Sequence, residues 1–145
     1  MSADEKEYAI RIKRLEGYRF EVDFGPEVHG KIFVDEDPPL GSNDGADPSR
    51  LLAASIAQCT LSSLLFCMQK SRATVGDMEA EAKITFGRDE NRKLRIMGIS
   101  ITADVTVPEE EKAKLDRCLP MFQDYCTVSQ SVKRGIPIST EIKLT

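Results

Sequence analysis

Apolar and polar residues alternate with a period of two through the first third of the chain. Tyr8, Ile10 and Ile12 alternate with Ala9, Arg11 and Lys13; after a tight Glu16-Gly17 turn, Tyr18, Phe20, Val22 and Phe24 alternate with Arg19, Glu21 and Asp23. This spacing predicts two strands, with a third short one over 31–35 once Gly25-Pro26 has broken the pattern. Residues 35–47 hold two prolines, two glycines and five acidic residues and read as a solvated loop. The period then changes. Asp47 is a good N-cap and Pro48 a good first helical residue, and no charge occurs from Leu51 to Gln69. Two longer alternating runs follow, Met78, Ala80, Ala82, Ile84 and Phe86, then Met97, Ile99, Ile101, Ala103, Val105 and Val107, joined by a turn over 87–91. They predict a sheet with one wet face. Pro108 and three glutamates open a helix that Pro120 ends, Asp124 caps a second helix that stops at Gly135, and Ile138, Thr140, Ile142 and Leu144 predict a last strand.

The uncharged helix is long enough to suggest a membrane span. Ser55, Gln58, Thr60, Ser62 and Ser63 dilute it, and its neighbours alternate as a soluble sheet does, so it is read as a buried helix. A chain of 145 residues can hardly bury such a helix from every side. A second subunit covering it is the simplest solution, and a homodimer is expected.

The length predicts one domain over 1–145. A net charge of −4 argues against nucleic acid as a partner. The charged start, Asp4-Glu5-Lys6-Glu7, has no apolar core of a signal peptide, which makes the cytoplasm the expected location. No G-x-S-x-G, Walker loop, G-x-G-x-x-G or H-E-x-x-H occurs, so the commonest hydrolase, nucleotide-binding and zinc-protease readings fall away.

The chain has one histidine and four cysteines, so thiol chemistry is the chemistry it is best supplied for. No C-x-x-C pair occurs, and Cys59/Cys67 and Cys118/Cys126 are each eight apart, a spacing unlike that of zinc ligands. No metal is expected. Cys126 falls at the start of the second helix, where unpaired amides and the helix dipole favour a thiolate; its position alone suits a small apolar residue equally well. Cys59 lies mid-helix, where the backbone has no free donors, and on spacing alone reads as an inert buried thiol. Its activation would require a groove between subunits or a nearby cation, for which Arg19, Arg50 and Arg72 are the candidates. Cys67, Cys118 and His29 read as core, core and solvent-exposed turn.

Asp47-Pro48-x-x-Leu51-Leu52-Ala53-Ala54 leading to Cys59-Thr60, followed about 67 residues later by Cys126-Thr127-Val128-Ser129-Gln130, resembles the OsmC/Ohr family of osmotically inducible and organic hydroperoxide resistance proteins. Glu16-Gly17-x-x-Phe20 and Val34-Asp35 also match, so the resemblance spans nearly the whole chain. It implies an α+β fold, an intertwined homodimer whose antiparallel sheets wrap central helices carrying the cysteines. It also implies a catalytic pair: Cys59 attacks a hydroperoxide, Cys126 captures the sulfenic acid as a disulfide, and an external thiol such as a dithiol resets the pair without any bound cofactor. Apolar residues beside Cys59, among them Leu52, Ile56, Leu61 and Leu64, suit an organic peroxide.

The chain also departs from that pattern. Organic-hydroperoxide members carry a glutamate ten positions before the helix cysteine to orient an arginine; here that position is Ser49, followed by Arg50. Thr127 stands where a proline usually follows the second cysteine. These departures resemble the OsmC-like branch more than the dedicated peroxidases. They keep a second reading open, a dimeric small-molecule-binding or redox-sensing protein without significant peroxidase activity.

Overall fold

The computed structural model describes residues 5–145. The fold is α+β, with antiparallel sheets and three helices, and the chain divides into two compact units, one up to Leu52 and the other from Ala53 onward.

In the first unit, strands β1 (Arg11–Glu16), β2 (Arg19–Asp23) and β3 (Ile32–Val34) form an antiparallel sheet in that order. Gly17 takes a positive φ of 53° in the β1–β2 turn, a conformation that glycine adopts without a Cβ clash. Tyr8 and Ile10 share the alternating pattern but precede the first paired residue, Arg11. The loop after β3 departs from the solvated reading of its acidic run. Asp35 is buried, and its carboxylate accepts the amides of Glu36 at 2.8 Å, Ser42 at 3.2 Å and Asp44 at 3.1 Å. A Cβ at Gly41 would lie 2.3 Å from that carboxylate, so only glycine lets the loop close around it. The Glu36 amide, ahead of the cost of burial, helps hold this carboxyl below its ordinary value, with Arg19 adding a favourable charge.

Helix α1 (Pro48–Lys70) starts where Asp47 and Pro48 predict. The Asp47 carboxylate takes the Ser49 amide at 3.2 Å and also its hydroxyl, so the N-cap is made by side chain as well as sequence. By length and composition this helix could cross a membrane. In this fold Leu64 and Met68, toward its C-terminal end, instead form a core with Cys118 and Phe122.

In the second unit, β4 (Met78–Arg88) and β5 (Leu94–Val105) pair antiparallel, with Met78 opposite Val105, Ala80 opposite Ala103, Ala82 opposite Ile101 and Ile84 opposite Ile99. The predicted apolar face therefore holds from Met78 to Ile84, and Met78, Val105 and Val107 pack against the core, whereas past a register shift at Thr85/Phe86 residue Phe86 lies opposite Ile96, and Phe86 and Met97 are exposed. A short 3-10 turn over Glu109–Glu111 leads into α2 (Lys112–Cys118). Lys114 donates to the Arg72 carbonyl at 3.1 Å and Glu111 accepts the Thr74 amide, which ties α2 to the end of α1. A second 3-10 turn, Phe122–Tyr125, precedes α3 (Thr127–Arg134). The predicted last strand has the strand pattern but, among the described residues, no strand partner. Ile138 is 87% exposed and Leu144 95%.

Candidate functional site

Cys59 sits mid-way along α1, half-buried, and Cys126 is 2% exposed. Cys126 is the N-cap of α3, with φ −80° and ψ 92°, so the helix starts two residues later than the sequence pattern predicts; Asp124 falls inside the preceding 3-10 turn and does not cap. The carbonyl of Cys126 accepts the Gln130 amide at 3.0 Å, which opens the helix. Its Sγ lies 3.0 Å from Ser129 Oγ, with the thiol as donor. Once the thiol ionises, the hydroxyl can turn and donate instead.

The two thiols meet, each within hydrogen-bonding reach of the other. The N-terminus of α3 serves them in an unexpected way. Its amides at Val128 and Ser129, the second and third helical positions, reach the Cys59 sulfur. These are among the donors that a helix cannot satisfy from within. The mid-helix cysteine thus receives from α3 the donors that α1 cannot offer it, a relation invisible in either segment read alone.

Burial, followed by the hydrogen bond with Cys126, pushes the Cys59 thiol up against the help of those amides. Burial also works against ionising Cys126. Hydrogen bonds from the Ser129 hydroxyl, the Cys59 thiol, the Ser129 amide and the Thr60 hydroxyl outweigh it and hold Cys126 below the ordinary thiol value. The pair therefore loses its first proton as a unit, with the charge resting on Cys126.

The other two cysteines do not simply pack. Cys67 and Cys118 are joined in a disulfide with Cα atoms 5.9 Å apart. Their expected role as free core thiols is corrected by this bond, although the core reading of the site holds. Cys118 is 1% exposed and Cys67 half-buried, packed with Leu64, Met68 and Phe122. A local signal lay in the sequence: Cys59 to Cys67 and Cys118 to Cys126 have equal spacing, so two rungs can join the same pair of segments.

The arginines are engaged elsewhere. Arg50 Nη1 pairs with Asp37 and Asp47, each at 2.8 Å. The Arg19 guanidinium lies over the Phe33 ring at 5.0 Å, and its Nε is buried without a partner among the described residues. Arg72 is exposed at the end of α1. Ser49, at the position of the family glutamate, is bound to Asp47. Among the described residues no group of three or more His, Cys, Asp or Glu side chains could hold a metal.

A family profile described as OsmC-like protein matches residues 41–141, a span that contains all four cysteines. Among solved structures, an OsmC-like protein of unknown function from Vibrio cholerae is similar with a TM-score of 0.73 and 15% identity, over 87% of this chain and 93% of that one. An OsmC-like protein from Mycoplasma pneumoniae gives 0.74 and 14%, over 89% of each chain. The organic hydroperoxide resistance protein of Bacillus subtilis gives 0.62 and 18%, over 90% of this chain and 92% of that one. At these identities the likeness is one of fold. No curated protein sequence matches the chain.

Proposed function

The chain belongs to the OsmC-like family, and on that premise we propose that it is a thiol-dependent peroxidase that reduces organic hydroperoxides through Cys59 and Cys126. The observation that carries this reading is the meeting of the two free thiols at the amides of α3. Acidity and access point to different sulfurs. Cys126 is the more acidic, but at 2% exposed it is shielded from a peroxide, whereas Cys59 is partly open. Encounter requires access, so Cys59 is the attacking sulfur and Cys126 its base.

The cycle then balances. The Cys126 thiolate takes the Cys59 proton. The Cys59 thiolate attacks the distal peroxide oxygen, the O–O bond breaks, and the alcohol leaves with the proton returned by Cys126. Cys126, ionised again, attacks the Cys59 sulfenic sulfur, the S–O bond breaks as the disulfide forms, and the departing hydroxide takes a proton from solvent to become water. An external dithiol reduces that disulfide by exchange. Cys126 and the α3 amides take the part that an arginine–glutamate pair plays in the organic-hydroperoxide members.

The reading includes a homodimer in the cytoplasm. Apolar residues of β1 and the C-terminal segment are open, Ile12 and Ile138 among them, and the C-terminal segment has the pattern of a strand seeking an edge. A second copy would cover both. A folded monomer at micromolar concentration in analytical ultracentrifugation would reject the dimer.

The test of the activity is mass spectrometry after one equivalent of cumene hydroperoxide. The expected result is loss of two hydrogens mapped to Cys59–Cys126, with multiple turnovers once a dithiol is added. No turnover in protein with both thiols reduced would reject the peroxidase and favour the redox-sensing or binding protein.

A further inference from the structure

The two cysteine pairs are rungs between the same two stretches of chain. Cys59 and Cys67 lie eight residues apart on α1; Cys118 and Cys126 lie eight apart on the stretch that runs from the end of α2 to the start of α3. The order reverses between them, Cys67 with Cys118 and Cys59 with Cys126, as expected of two antiparallel segments. We propose that the Cys67–Cys118 disulfide is a redox-controlled clamp that holds the Cys126 segment in register with α1, so that opening it weakens closure of the Cys59–Cys126 pair.

The connecting stretch explains why a clamp has something to do. Between the two cysteines it contains Leu119-Pro120 and a 3-10 turn, and it has no strand or long helix to stiffen it. Phe122 alone among its residues is buried with Leu64 and Met68. With the bridge closed, the covalent path from Cys59 to Cys126 is eight residues along α1, across the sulfurs and eight residues back. With it open, the path is the full chain of about 67 residues. Chain entropy puts the difference in loop closure at roughly eightfold, as the limit in which the bridge alone holds the register. Core packing that held it unaided would bring the factor down to one.

A dithiol opens the bridge, as do two monothiols acting in turn. The first thiolate attacks the half-buried Cys67 sulfur, since Cys118 is 1% exposed, and Cys118 leaves and takes a proton. The second thiol of the reductant then displaces Cys67 from the mixed disulfide. The reductant ends as a disulfide and the protein with two thiols, two electrons having passed between them.

The inference rests on the proximity of Cys59 and Cys126 but not on peroxidase activity, and its test uses no peroxide. Intact protein and the Cys67→Ser/Cys118→Ser protein are equilibrated in glutathione buffers, quenched with acid, and the Cys59–Cys126 disulfide is quantified by peptide mapping. The expected result is an equilibrium constant for that disulfide at least threefold lower in the double variant, and at the limit about eightfold, or about 27 mV. A change of less than threefold overturns the clamp, because packing then suffices. Reciprocity requires the same factor on the Cys67–Cys118 disulfide when Cys59 and Cys126 are replaced by serine. If the serine pair does not fold, Cys67→Ala/Cys118→Ala keeps the site apolar and answers the same question. A peroxidase-inactive protein that still shows the factor would reject the function proposed above and leave the clamp standing.

Discussion

The two cysteine pairs join the same two stretches of chain and differ in their surroundings. Around Cys67 and Cys118 the neighbours are Leu64, Met68, Leu115 and Phe122, with the Ser71 hydroxyl as far as 4.0 Å from Cys118 Sγ, and this pair is a closed bridge. Around Cys59 and Cys126 they are the hydroxyls of Ser129 and Thr60 and the first amides of α3, and this pair is free, with Cys126 held below the ordinary thiol value. A thiol becomes a nucleophile when donors stabilise its anion. Two helical turns along one helix are enough to change a dry site into one that supports charge.

The contrast can be broken most sharply at Cys59. Cys59→Ser is expected to lower peroxide consumption by at least ~100-fold, whereas Cys126→Ser leaves one turnover and then a sulfenic acid trappable by dimedone and prone to further oxidation. Persistent turnover in Cys59→Ser, measured with a dithiol as reductant, would move the attacking role to Cys126. On the apolar side, Leu64→Ala removes a buried side chain from the core beside Cys118 and is expected to cost about 2–4 kcal/mol of stability in chemical denaturation. Unchanged stability would mean that the core around the bridge is not packed as described.

The finest comparison is made at Ser129. Its hydroxyl stabilises the Cys126 anion, so Ser129→Ala should raise the pKa of the pair. Because the anion is the reactive form, the reaction rate rises with pH until the pair has ionised. In the unmodified protein that rise should end below the ordinary thiol range, and in Ser129→Ala it should shift upward with the plateau unchanged. Stopped-flow rates from pH 5 to 9 separate this from a structural defect, which would lower the plateau and leave the midpoint in place.

Much of this arrangement was legible in the residues themselves. The alternation of Met78 to Phe86 against that of Met97 to Val105 gave the long hairpin and its apolar face, and Asp47-Pro48 gave the start of α1. Cys59 and Cys126 were marked by the motifs around them. What escaped was everything that depends on two distant segments meeting. The amides of Val128 and Ser129 belong to one helix and serve a sulfur on another. The bridge between Cys67 and Cys118 spans a separation of 51, and the equal eight-residue spacings suggest it only once the two segments are known to be antiparallel. Arg50 was a plausible activator by proximity in sequence, but Asp37 and Asp47 already occupy its guanidinium. Asp35 looked like one more acid in a wet loop, because nothing in its neighbourhood announces that three amides will converge on it.

That convergence gives the first unit a dependence of its own. A carboxyl held below its ordinary value favours the folded loop while it is ionised, at pH values above the unfolded value near 4. The contribution fades as pH falls through the lowered value, when the three amides lose their anionic acceptor and the glycine-tight turn around it loses its reason to close. The chain therefore separates its sensitivities in space. Acid in the carboxylate range acts on the loop that ends β3, whereas the thiols of α1 and α3 respond to pH through their own ionisation.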